Sequence, residues 1–70
     1  MGNGSKILSE AETIRVRAVV GRFGLMRAQA RLGVSLHVLE QARDYGRISV
    51  PAIARLMEAV EREERIANVA

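Results

Sequence analysis

Two short apolar-periodic stretches meet at Leu32-Gly33-Val34-Ser35, and no other four residues limit this fold as tightly. Gly33 stands where two helices must change direction, because only glycine takes a left-handed backbone without a Cβ clash. Ser35 can then accept a hydrogen bond from a free backbone N–H and start the next helix. A short helix, a tight turn containing glycine and a second helix make the helix-turn-helix outline.

Four helices are expected around that turn. Ser9-Glu10-Ala11-Glu12 has the capping-box spacing, so the first helix begins there and runs to about Phe23, with Gly24 ending it. Its apolar residues form more than one stripe: Ala11, Ile14 and Ala18, and also Val16, Val19, Val20 and Phe23. One face can pack on the core while another meets a second subunit. The second helix, about Leu25 to Leu32, turns Leu25, Ala28 and Leu32 inward and Arg27 and Arg31 outward. The third starts at Ser35 and reaches about Arg43, with Val38, Leu39 and Ala42 inward. Asp44-Tyr45-Gly46-Arg47 reads as a turn. Ser49 caps a fourth helix, with Pro51 in its first turn and Ile53, Leu56, Met57 and Val60 buried.

No strand is expected, since alternating Val/Thr/Tyr runs and hairpin dipeptides are missing. Glu61–Arg65 reads as solvated helix, and the glutamates at 58–64 as surface residues paired at i,i+4. The chain thus divides into a flexible N-terminus (1–8), one all-α domain (9–65) and a short apolar tail (66–70).

Seventy residues allow one modest core that is marginal alone. With no cysteine and no metal-ligand cluster, the expected help is a second copy, giving a homodimer. The absence of cysteine fits a cytoplasmic setting, and no apolar run approaches the length a bilayer span needs. The net charge of +3 is uneven. Residues 13–57 carry eight arginines against Glu40 and Asp44, a net of +6, whereas residues 58–70 net −2. A basic body suits a polyanionic partner.

Residues 25–44 resemble the helix-turn-helix of the Cro/lambda-repressor-like DNA-binding proteins, in which a Leu-Gly-Val-Ser type of turn is common. Leu39-Glu40-Gln41-Ala42-Arg43-Asp44-Tyr45-Gly46 is similar to the end of a phage-repressor recognition helix and its loop. The segment from Ile48-Ser49-Val50-Pro51 to Val60 is similar to the helix that follows. With the first helix, the likeness covers about residues 10–60.

The resemblance implies that Leu36, His37 and Gln41 face base edges. Gln41 would pair bidentately with adenine, His37 would donate to guanine and Leu36 would touch a thymine methyl, while Glu40 would either accept from cytosine or repel off-register phosphate. Arg22, Arg27, Arg31, Arg43 and Arg47, with Ser35, are the expected phosphate contacts. Two residues depart from the family pattern. Gln29 replaces a small alanine at the helix contact, so either the two helices cross differently or Gln29 bonds a backbone group. Leu25 replaces a glutamine that touches phosphate. The apolar tail stands where the family has a fifth helix, so a dimer contact other than the family's usual one is expected.

Catalysis finds no support, since one histidine and no cysteine leave neither a nucleophile–base pair nor a metal site. No cofactor is expected. The expected function is a sequence-specific transcriptional regulator, a phage or mobile-element repressor or autoregulator, binding a palindromic double-stranded operator in a prokaryotic cell or an infected host. The alternative is a protein-interaction module, such as a small antitoxin or adaptor. The apolar third helix (Leu36, Val38, Leu39) favours that second reading.

Overall fold

The computed structural model describes residues 5–69. Along the chain run β1 (Ser5–Ile7), α1 (Glu10–Phe23), α2 (Leu25–Leu32), α3 (Leu36–Asp44), β2 (Arg47–Ser49) and α4 (Val50–Val69). The protein is mostly helical, with four helices around one core. No helix among the described residues is long and apolar enough to cross a membrane.

Local chemistry sets most of these boundaries. The Ser9 hydroxyl accepts from the Glu12 N–H at 3.1 Å and the Glu12 carboxylate accepts from the Ser9 N–H at 2.9 Å, a complete capping box. Gly33 ends α2 in the left-handed region (φ 70°), and its N–H donates to the Gln29 carbonyl. Ser35 caps α3 by accepting from the Val38 N–H at 3.1 Å. Gly46 (φ 68°) then turns the chain out of α3. The Ser49 hydroxyl faces the Ala52 N–H at 3.4 Å, leaving Pro51 in the first turn of α4.

Three sequence expectations give way. Residues 5–8 are not a loose leader: β1 pairs antiparallel with β2 (Ser5↔Ser49, Lys6↔Ile48, Ile7↔Arg47), and Leu8 is buried. Met1–Gly4 lie outside the described residues. The absence of strands and the plain turn at Asp44–Arg47 are corrected with it, since Asp44 closes α3 and Arg47 opens β2. Both strands are three residues long, too short for a period-two pattern, and the pairing is bought by the burial of Leu8 and Ile48. The expected tail is also helix, because Ile66-Ala67-Asn68-Val69 holds no glycine or proline to stop α4. Ala70 lies outside the described residues.

The core gathers Val16 and Val19 of α1, Ala28 and Leu32 of α2, Leu39 and Ala42 of α3, and Leu56, Ala59 and Val60 of α4, with Leu8 and Ile48 beneath the strands. Every helix contributes, and α3 is packed by α1, α2 and β2.

Glu61–Arg65 is less solvated than its polarity suggests. Glu61 and Arg65 do pair at i,i+4 (3.1 Å), but Glu63 is buried, 5% exposed, against Arg31 at 2.8 Å. Glu64 takes two hydrogen bonds from Arg15, at 2.6 and 2.8 Å, tying α4 to α1. Those bonds hold the Glu64 carboxyl below its ordinary range, against the opposing effect of desolvation. A carboxyl lowered in the folded state adds stability above its unfolded pKa, and that stability fades as pH falls through the lowered value. Thermal melts should therefore lose stability below pH of about 4, with Glu64→Gln flattening that loss. An unchanged acid profile in the variant would show that the pair does not couple to folding.

Candidate nucleic-acid interface

The turn that presents α3 is fixed from both sides. The Gln29 side-chain amide donates to the Val34 carbonyl at 2.8 Å, bracing the turn from within α2. This settles the departure at Gln29 in favour of a backbone bond, made by a side chain an alanine could not replace. Leu25 is half-buried against the core, so it offers no polar group at the phosphate position.

From this turn, Leu39 and Ala42 run inward and Val38 packs beside them. At about 100° per residue, positions 37 and 44 point farthest from that buried side, with 40 and 41 on the two shoulders. The exposures agree: His37 and Asp44 are exposed, while Leu36, Glu40 and Gln41 are half-buried. His37 and Gln41 share a groove of about 270 Å³ with Val38 of α3 and Arg47, Ile48 and Ser49 of β2. The structure thus brings together two expected base readers and one expected phosphate contact. Leu36 and Glu40 lie on the other shoulder, half-buried.

The expected cations separate into distinct environments. Arg43 spends its guanidinium on Asp44, with bonds of 2.7 and 2.9 Å that raise the Arg43 pKa and lower that of Asp44. Its carbonyl accepts twice from Arg17, at 3.2 and 3.1 Å. Arg31 pairs with buried Glu63 and stacks 4.5 Å from the Phe23 ring centroid. Arg31 is first of all a structural tie, whereas Arg43 is engaged by its sequence neighbour. Arg22 lies 5.1 Å from the same ring and is exposed. Arg27 is exposed on α2 and has no ion pair among the described residues. Arg47 is exposed on β2. Ser35 is exposed, with its hydroxyl oxygen already capping α3.

Sequence reasoning missed three residues here. Arg55 lines a second hollow of about 220 Å³ with Gly33, Val34, Ser35, Val38 and Ala52, which sets a cation beside the start of α3. Its signal was its place between Ile53 and Leu56, on the wet side of a helix capped at Ser49. Arg17 borders a third hollow, about 440 Å³, with Val20, Gly21, Arg43 and Asp44. The sequence places Asp44 in a turn, but it lies on the outward face of α3.

The sequence-level split between a basic body and an acidic end does not survive in space. Arg15 and Arg31 of the body are neutralised by Glu64 and Glu63 of α4. Arg27 and Arg55 make no ion pair among the described residues, and Arg17 bonds a carbonyl rather than a carboxylate. No group of three or more His, Asp or Glu among the described residues is placed to hold a metal. No protein-family model, curated protein or solved structure matches the chain.

Proposed function

We propose that this protein is a sequence-specific double-stranded-DNA-binding regulator, a helix-turn-helix of the Cro/lambda-repressor-like kind, with α3 as the helix that enters the major groove. The observation that carries the reading is the groove joining His37 and Gln41 to Arg47. It supports a surface on which two hydrogen-bonding side chains meet base edges while an arginine beside them meets the backbone. Arg55 and Arg27 add phosphate contacts that give affinity and salt dependence without reading sequence. A protein bound in this way represses by occupying its operator, and no catalytic step is needed.

Selection of bound sites from a random duplex pool tests the proposal. An enriched motif is expected, and Gln41→Ala should bind it about tenfold more weakly, the loss of one bidentate base contact, with unchanged helix content. No enrichment at low salt would overturn the reading.

One observation favours a second reading, a protein-interaction module. Glu40 stands on a shoulder of α3 with no ion pair among the described residues, and such a carboxylate repels phosphate walls. A basic or apolar protein partner would meet that face instead. The same selection distinguishes the two readings.

A further inference from the structure

We propose that two copies of this chain pair through the outward face of α1, antiparallel about a two-fold axis level with residue 16 on the solvent side of the helix. Ala11, Ile14, Ala18 and Gly21 are all exposed and fall on one side of the helix, opposite buried Val16 and Val19. Ile14, 60% exposed, is the one large side chain among them.

Gly21 is the residue the monomer leaves unexplained. Glycine inside a helix is unfavourable, and it usually persists where a turn or a neighbouring backbone requires it. Here its backbone is ordinary helix, and a Cβ built on it would meet nothing within 4 Å. The missing side chain therefore serves nothing within the described chain. A helix laid across this point from outside would gain close approach.

A second copy suits the face because the face is complementary to itself. Turned end for end about residue 16, Ile14 of one copy comes over Ala18 of the other, a large residue onto a small one, and Ala11 comes over Gly21. Charge selects the same direction. Glu10 lies at one end of the face, and Arg17 borders the hollow beside Gly21 near the other. Antiparallel pairing brings the partner's Glu10 opposite position 22, one residue beyond Gly21 and beside the hollow, where Arg17 and Arg43 outnumber Asp44. Parallel pairing would set Glu10 against Glu10. This interface is independent of what α3 binds. Only its consequence, that two α3 helices address a two-fold-symmetric DNA site, rests on the reading above.

Sedimentation of the full chain without DNA tests the pairing, and circular dichroism checks the fold. The chain should be a dimer at micromolar concentration. Ala18→Glu should weaken the dimer about tenfold or more by placing an unpaired charge in the contact, at unchanged helix content. Gly21→Leu adds a better helix former in open space, so it should leave the monomer folded while separating the copies. Since the chain has no cysteine, mixing Ile14→Cys with Ala18→Cys should cross-link better than either variant alone. A monomeric parent chain, a dimer unmoved by Ala18→Glu, or preferred 14-to-14 cross-links would each overturn the proposal. DNA binding lost with dimerisation intact would instead strike the α3 reading.

Discussion

Leu39→Ala is expected to remove about 3 kcal/mol of stability, from lost burial plus the cavity left behind. Leu39 is fully buried, in the middle of α3, with core residues from all four helices in its cluster. A chain of this length has a total stability of roughly 4–10 kcal/mol, so one substitution takes a third or more of it. The midpoint of urea unfolding should fall by about 2 M, given the shallow urea dependence of so small a domain. Leu36→Ala, three residues earlier on the same helix, is the control. Leu36 is half-buried, and its loss should cost under about 1 kcal/mol. Equal costs at the two positions would mean that α3 does not sit on the core as described, and the placement of His37 and Gln41 would go with it.

That contrast shows what could be read from the sequence. Helical spacing alone turns Leu39 and Ala42 inward, where the structure has them. Gly33 and Ser35 fixed the turn because one backbone conformation and one hydroxyl decide it locally. The strands were not legible for the opposite reason. Ser5 and Ser49 meet across most of the chain, over three residues with no pattern of their own, so only the assembled core under Leu8 and Ile48 sets them together. The same limit applied to charge. Glu61, Glu63 and Glu64 look alike in a polar run, yet Glu61 pairs locally, Glu63 is buried on Arg31 and Glu64 reaches Arg15. Helical spacing separates the faces of α4, but it does not say which face another helix covers. In the candidate site, helical spacing alone places His37 and Gln41 away from the buried side of α3. Arg55 became relevant only when α4 folded back beside the turn.

Arg31 is where that limit has the largest consequence, because its charge looked like a phosphate contact and its geometry is that of a structural tie. Arg31→Ala strands the Glu63 carboxylate, whose side chain is 6% exposed, and removes the stacking on Phe23. Breaking a fully buried pair costs about 3–5 kcal/mol. The Arg31 side chain is 43% exposed, so water can reach the gap, and the expected loss is about 2–3 kcal/mol. Arg27→Ala, one helical turn away on the same wet side, should stay within about 0.5 kcal/mol of the parent. On DNA the order should reverse: Arg27→Ala should reduce the salt dependence of binding by about one phosphate contact, while a folded Arg31 variant should retain most of it. Such a variant is available in principle, because replacing both Arg31 and Glu63 by Met removes the tie without leaving a charge buried. The double replacement should recover most of the stability lost in Arg31→Ala. If it does not, or if Arg31→Ala melts with the parent chain, the Arg31–Glu63 bond is not what holds the end of α2 to α4.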